Sequence, residues 1–143
     1  MSSPSTAASD DAEVMVVVPI LRMYDVAATI RFYVEYLGCS LDWQDGEGDR
    51  PVYLQVSREG MRLHLSSHHD DGTPGTAVLV MVRNVEALHA ELRNRGYPFL
   101  NPGIEPGPGN GREMQLIDPA SNRIRFYEPA PACASARPRS SPR

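Results

Sequence analysis

The chain has 143 residues, of which 41% are hydrophobic, so it is long enough for one globular domain with a sizeable core. Its formal net charge is −4, and all fourteen basic residues are arginine. An acidic chain without a basic stripe is a poor match for nucleic acid, whereas it would attract a cationic small molecule.

The longest apolar run, VMVVVPIL at residues 14–21, is well short of the roughly 20 residues that cross a bilayer. No charged segment of the kind that begins a signal peptide precedes it. The sequence therefore predicts a cytoplasmic protein with no membrane partner. No disulfide framework is expected, because Cys39 and Cys133 are the only cysteines and Cys133 lies in a low-complexity tail. Cys39 is interpreted as a small buried apolar residue.

The folded region shows the same order of elements twice. Residues 14–21 are predicted to form a strand, and Asp25 is a candidate N-cap for a helix that Gly38 ends. In the second half, residues 76–82 are predicted to form a strand, and Asn84 is the candidate cap of the helix that follows. A glycine after each helix completes the correspondence.

Each helix is followed by strands that a turn joins. The first pair, PVYLQVS and MRLHLSS, flanks Glu59-Gly60, and the second, REMQLI and RIRFYEP, flanks Asp118-Pro119. The sequence thus predicts an α+β fold of tandem βαβββ modules over residues 14–129, with halves at about 14–70 and 76–129. Residues 1–13 and 130–143 lack an apolar period and are predicted to be disordered tails.

Alternation along the strands separates two faces, because successive side chains on a strand point in opposite directions. The apolar face is predicted to pack beneath the helices and contains Val52, Leu54, Val56, Leu63, Leu65, Met114, Leu116, Ile124 and Phe126. The opposite face is too polar for a core and is predicted to line a concave ligand cleft; it contains Tyr53, Gln55, Arg62, His64, Ser66, Gln115, Arg125 and Tyr127. The Gly- and Pro-rich residues 101–111 are predicted to form a flexible loop at the mouth of this cleft.

The stretch HLSSHHDD at residues 64–71 raises the question of a metal site. His64 and His68 could share an ion on a helix, but the residues before them alternate like a strand, where four residues span about 13 Å. We therefore interpret this stretch as a solvated strand end followed by a polar linker. His64, in mid-strand on the cleft face, remains a candidate, either as a ligand or as a hydrogen-bonded cleft residue.

Two blocks of the sequence carry a more specific pattern. The first, VVPILRMYDVAATIRFYVEYLGCSLDW, follows the pattern V-P-[VI]-L, D-V-A, F-[WY], L-G and D-[FW], and the second, GREMQLIDPASNRIRFYEP, begins with G-R-E and continues with D-P-x2-N. Together they resemble the bleomycin-resistance proteins of the vicinal oxygen chelate superfamily, over essentially all of residues 14–129. The resemblance implies the glyoxalase-like fold and a homodimer that exchanges N-terminal arms at Pro19. Without the resemblance, Pro19 fits an edge-strand proline in a monomer equally well.

The resemblance also bears on the metal question. Metal enzymes of this superfamily take ligands from four equivalent strand positions, which fall here at or near Val18, His64, Ala77 and Arg125. One imidazole, two aliphatic side chains and a guanidinium do not hold a divalent ion, because the ion needs several deprotonated donors. We therefore expect no metal, no cofactor and no catalytic residue, although Glu113 and Glu128 are nearby carboxylates that keep the question open.

Bleomycin-resistance proteins are metal-free homodimers that sequester the drug in crevices between subunits, which implies the same function here. The drug is a cationic glycopeptide with a planar bithiazole, so its site needs an aromatic surface and carboxylates. The segment LDWQDGEGD offers both, because Trp43 lies among Asp42, Asp45, Glu47 and Asp49. The same segment also fits a solvated acidic loop with Trp43 half-packed at a dimer edge.

The predicted function is non-catalytic binding of a bleomycin-type antibiotic, with or without a chelated metal ion, in a dimer-interface cleft. The predicted ligand-binding residues are Asp42, Trp43, Tyr53, Arg62, His64, Ser66, Gly111, Arg112, Arg125 and Tyr127. Fewer stacking surfaces are expected than in relatives, since Asn110, Val78 and Val80 stand where several of them carry aromatic residues. The alternatives are a metal-dependent enzyme of the superfamily, such as a lyase, isomerase, dioxygenase or thiol transferase, and a carrier of another small metabolite.

Overall fold

The computed structural model describes residues 10–98 and 100–131, which fold as two similar halves. The first half contains β1 (Ile20–Arg22), α1 (Val26–Ile30) continued by a π-helix (Arg31–Tyr36), β2 (Ser40–Asp45), β3 (Tyr53–Arg58) and β4 (Met61–Ser66). The second half contains β5 (Ala77–Met81), α2 (Val85–Arg95), β6 (Ile104–Pro106), a 3-10 turn (Pro108–Asn110), β7 (Arg112–Ile117) and β8 (Arg123–Glu128).

Each half forms a four-stranded sheet with the same topology. The strand orders are β1-β4-β3-β2 and β5-β8-β7-β6, and in each sheet the first strand runs parallel to its neighbour while the other pairs are antiparallel. This confirms the predicted α+β fold of tandem βαβββ modules.

Both helices begin and end at the predicted residues. The side chain of Asp25 accepts a hydrogen bond from the backbone N–H of Ala28 at 3.1 Å, and Asn84 accepts one from Ala87 at 3.2 Å. These N-caps satisfy donors that the first helical turn leaves unpaired. Gly38 and Gly96 have φ angles of +84° and +71°, a conformation that glycine adopts without steric cost.

Three predictions about local structure were wrong. The first strand covers only Ile20–Arg22, and residues 14–19 lie outside any strand, since Pro19 lacks a backbone donor and Val14 and Val17 are exposed. The predicted acidic loop is largely strand β2, which the sequence conceals because all six of its residues are exposed and no alternation marks it. The predicted flexible loop at 101–111 contains β6 and the 3-10 turn.

The hydrophobic core lies on the predicted faces of the two sheets. All nine apolar residues predicted for this face are buried, and they join Phe32 and Tyr33 of the first helix and Leu37, which follows it, in one cluster. Burying each of these side chains stabilises the folded chain by about 1.5–3 kcal/mol relative to leaving it exposed. The apolar alternation along the strands therefore contributes strongly to the stability of the fold.

Buried polar contacts join the two halves. The Tyr33 hydroxyl donates to Asp118 at 2.6 Å, and the Asn122 amide donates to the same carboxylate at 2.9 Å and to the Arg22 carbonyl at 2.8 Å. Asp118 also accepts from the backbone N–H groups of Ala120 and Asn122. The D-P-x2-N motif therefore holds the β7–β8 turn and fixes it to the first half.

Candidate functional site

The candidate site is the polar face of the first sheet, opposite its buried apolar face, where side chains from β2, β3 and β4 meet. Tyr53 and Gln55 lie two residues apart on β3, and Gln55 pairs with His64 of β4 on one side and with Trp43 of β2 on the other. A β-bulge between Leu41 and Trp43 shifts the register of β2. The bulge lets the adjacent residues Asp42 and Trp43 both reach this face, which regular alternation would not allow.

The rings of this face form an aromatic cluster. The Trp43 and Tyr53 rings are parallel within 6°, with centroids 5.9 Å apart, and Trp43 meets the His64 ring edge-on at 5.3 Å. Tyr53 contacts His64 at 5.1 Å and His68 at 6.3 Å between centroids. Trp43 remains 43% exposed, so the cluster offers an indole surface to a ligand.

A chain of hydrogen bonds runs through the same cluster. The Tyr53 hydroxyl lies 2.7 Å from His64 Nδ1, and His64 Nε2 lies 2.9 Å from Gln55 Oε1. Gln55 Nε2 in turn donates to Asp42 Oδ2 at 2.9 Å. Four side chains from three strands are thereby held in one arrangement.

The electrostatics of the face follow from these contacts. Burial lowers the pKa of His64, and the Arg62 guanidinium lowers it further, so the imidazole is neutral at pH 7. Hydrogen bonds from Gln55 and Ser57 lower the pKa of Asp42 and keep it ionised. Burial, with the charge of Asp71, raises the pKa of the Tyr53 phenol.

The second sheet carries the other predicted charged residues as ion pairs. Arg125 donates to both carboxylate oxygens of Glu113, at 2.9 and 2.8 Å, and Arg112 donates to Glu128 at 3.1 Å. The arginine lowers the pKa of Glu113, and backbone N–H groups of Val85 and Asn84 lower that of Glu128. The two carboxylates that kept the metal question open therefore hold arginines in this structure.

Two predicted ligand-binding residues are buried rather than presented to the cleft. Ser66 is fully buried, and its hydroxyl donates to Asp71 at 2.7 Å, because the polar linker after β4 folds back over it. Arg22 holds that linker by donating to the carbonyl of His69 at 2.9 Å. Gly111 is also buried, and a Cβ there would lie 2.5 Å from the Tyr127 ring.

The predicted site residues therefore separate into two groups. Asp42, Trp43, Tyr53 and His64 come together on the first sheet, with the exposed Arg62 nearby. The residues Arg112, Arg125 and Tyr127 lie on the second sheet, where the Tyr127 hydroxyl donates to the Pro108 carbonyl. Sequence reasoning placed Gln55 on the cleft face without assigning it a role, and strand alternation was the signal that could have singled it out.

A groove of about 850 Å³ lies between the two halves; Arg62 lines it, but the rings of the aromatic cluster do not. Its lining includes Val16 and Val17 of the N-terminal segment and Leu79 and Met81 of β5. These apolar side chains are exposed, with Leu79 at 51% and Met81 at 59%. Exposed apolar surface of this kind is typical of a site where another molecule binds.

Among residues 10–98 and 100–131, which the structure describes, there is neither a metal-binding cluster nor a membrane-spanning helix. Within these ranges, no three His, Cys, Asp or Glu side chains gather closely enough to hold a metal ion. Over the same residues, the helices are too short or too polar to cross a membrane.

The sequence matches a known protein family over most of its length. The family model described as "Glyoxalase superfamily protein" matches residues 4–132. No curated protein sequence matches the chain.

Three solved structures illustrate the range of similar proteins. The bleomycin-binding protein from bleomycin-producing Streptomyces verticillus, complexed with copper(II)-bleomycin, is 29% identical, with a TM-score of 0.62 over 81% of this chain and 97% of that one. The bleomycin resistance determinant encoded on the transposon Tn5 is 17% identical, with a TM-score of 0.66 over 82% and 100%. A glyoxalase-related enzyme from Clostridium phytofermentans is 22% identical, with a TM-score of 0.63 over 85% and 99%.

Proposed function

The chain belongs to the glyoxalase superfamily, and we propose that it binds and sequesters a bleomycin-type antibiotic in the cytoplasm without modifying it. The observation that carries this proposal is the half-exposed Trp43, stacked on Tyr53 beside the ionised Asp42. An indole surface next to a carboxylate suits a ligand that combines a flat heteroaromatic group with a cation. The similarity to the bleomycin-binding protein of Streptomyces verticillus supports the same ligand class.

We propose that the binding unit is a homodimer with exchanged N-terminal arms. Val14 and Val17 are 90% and 84% exposed, and β5 pairs within the described chain only with β8. Leu79 and Met81 on β5 are exposed beside the same groove. The arm of a second copy would cover this apolar surface and would bring a further surface toward the first-sheet cluster.

The dimer also accounts for the affinity that sequestration requires. Nanomolar binding corresponds to about −12 kcal/mol, which is more than one aromatic stack contributes. A cleft formed by both subunits would supply the additional contact area, with Arg112, Arg125 and Tyr127 of the second sheet as candidate lining residues.

The proposal is tested by titrating chelator-treated protein with bleomycin, metal-free and copper-loaded, while following tryptophan fluorescence. Trp43 is the only tryptophan, so its emission reports on the proposed site. Saturable submicromolar binding with equimolar stoichiometry per subunit is the expected result. Absence of binding, with a stoichiometric divalent metal in untreated protein, would favour a metal-dependent enzyme. Absence of both would favour a carrier of another metabolite.

A further inference from the structure

The hydrogen-bond chain of the first sheet has a fixed direction, and Asp42 sets it. An ionised carboxylate only accepts hydrogen bonds, so the group of Gln55 that lies 2.9 Å from Asp42 is its NH2. The reversed amide would bring two oxygen acceptors together at that distance. Hydrogen bonds from Gln55 and Ser57 lower the pKa of Asp42, which keeps the carboxylate ionised at neutral pH.

The direction of each further hydrogen bond in the chain follows from the direction of the one before it. With its NH2 on Asp42, Gln55 presents Oε1 to His64, so the ring nitrogen at 2.9 Å, Nε2, carries the proton. A neutral imidazole protonated at Nε2 has its lone pair at Nδ1. The Tyr53 hydroxyl, 2.7 Å from Nδ1, must therefore donate its proton to His64.

We propose that Asp42, acting through Gln55 and His64, makes Tyr53 Oη a hydrogen-bond acceptor for the bound ligand. Because the only hydroxyl proton is engaged with His64, the phenol oxygen has lone pairs but no donor to offer. Asp42 and Asp71 add negative charge near the same face. The preferred ligand group is thus a nitrogen donor, and a cationic amine or amidine in particular, lying against the Trp43 and Tyr53 rings.

This inference rests on the proposed function only for the identity of the ligand. Asp42 and Gln55 are positioning residues in it, since they act on the ligand through His64 and Tyr53. The direction of the chain is a property of the unliganded protein and is measured without any drug.

The first test is nitrogen-15 NMR of the His64 ring in the free protein near pH 7. The expected result is a single tautomer with the proton on Nε2. In Asp42→Asn, the new amide can donate or accept, so the direction is no longer fixed and a mixture of tautomers is expected. Asp45→Asn, which removes the same charge from the same strand, serves as the control and should leave the spectrum of His64 unchanged. A wild-type ring protonated on Nδ1, or an Asp42→Asn spectrum identical to wild type, would overturn the proposal.

The second test measures the affinity for bleomycin in the same variants and in Tyr53→Phe. Tyr53→Phe removes the acceptor oxygen and should weaken bleomycin binding about fivefold, the size of effect expected for the loss of one hydrogen bond. Asp42→Asn should weaken binding more than Asp45→Asn. Equal affinity in Tyr53→Phe and wild type would overturn the acceptor role. If the wild type does not bind bleomycin, the proposed function fails while the NMR result still decides the direction of the chain.

Discussion

Trp43 is the residue on which the proposed binding site depends most. It is half-exposed on β2, and its ring lies parallel to that of Tyr53. Its position follows from a β-bulge, which the sequence does not reveal, and not from regular alternation. The sequence singled out Trp43 because it is the only tryptophan and lies among acidic residues.

Replacing Trp43 by alanine should weaken bleomycin binding by about tenfold or more, or about 1.4 kcal/mol, because the stacking surface is lost. Calorimetry is the suitable measurement, since the variant has no tryptophan to follow. Trp43→Phe keeps a smaller ring and should retain part of the affinity. An unchanged dissociation constant in Trp43→Ala would remove this residue from the site.

Cys39 is expected to be chemically inert in the folded protein. It is buried after the first helix, and burial raises the pKa of its thiol to about 12, so almost no thiolate forms at pH 8. In a Cys133→Ser variant, Cys39 is the remaining thiol, and native protein should not react with a thiol reagent until it unfolds. Rapid stoichiometric labelling of the native variant would contradict this assignment.

At the scale of elements, the loop before β7 is packed tightly against β8. A Cβ on Gly111 would lie 2.5 Å from the Tyr127 ring and 2.6 Å from the Glu128 carbonyl oxygen. Gly111→Ala should therefore destabilise the fold by about 1–3 kcal/mol, the usual cost of overpacking. Gly103→Ala is the matched control, because a Cβ there meets nothing within 4 Å. Chemical denaturation measures both, and equal stability in the two variants would refute the packing argument.

The Arg58–Glu91 ion pair connects β3 with α2 and should make stability depend on pH. Arg58 donates to both oxygens of Glu91, at 3.0 and 2.9 Å, and lowers the pKa of that carboxyl. The pair therefore stabilises the fold at pH values above the pKa of an unfolded Glu, about 4.3, and its contribution is lost as pH falls through the folded pKa.

Glu91→Gln removes the ion pairs of Glu91 with Arg58 and with Arg95 and should reduce the free energy of unfolding by about 1 kcal/mol at pH 7, since these side chains are partly exposed and solvent weakens the pairs. The difference from wild type should shrink as the pH is lowered below about 4. Glu35→Gln, at an exposed position on the first helix, should change stability by less than about 0.5 kcal/mol. A Glu91→Gln deficit that does not change with pH would contradict the electrostatic account.

The elements that the sequence predicted well are those with a buried face. Alternation along β3, β4, β7 and β8 identified eight buried strand residues, and Val52 just before β3, because a half-buried strand needs an apolar side chain at every second position. β2 carries no such signal because none of its six residues is buried in the single chain, and β6 is only three residues long. Ser66 lies on the cleft side of β4, as alternation predicted, but the linker after β4 folds over it and buries it. Alternation along one strand gives no information about such a covering segment.

At the scale of the whole molecule, the exposed apolar groove predicts association of two chains. Leu79→Asp would place a charge on the β5 surface that the second copy is proposed to cover, and burying that charge is costly. The variant should be monomeric in analytical ultracentrifugation at concentrations where the wild type is dimeric, with its fold retained. Ala90→Asp, on an exposed position of α2, is the control and should remain dimeric. A monomeric wild type would contradict the arm-exchanged dimer.

The central claim is that the protein binds an antibiotic and does not change it. The most direct measurement incubates the protein with a large excess of bleomycin, separates bound from free drug over time, releases the bound drug by denaturation and determines its mass. We expect one equivalent of drug per subunit to be withdrawn, without further loss over time, and to be recovered intact. Continued loss of free drug beyond one equivalent, or recovery of a product of altered mass, would contradict sequestration and indicate catalysis.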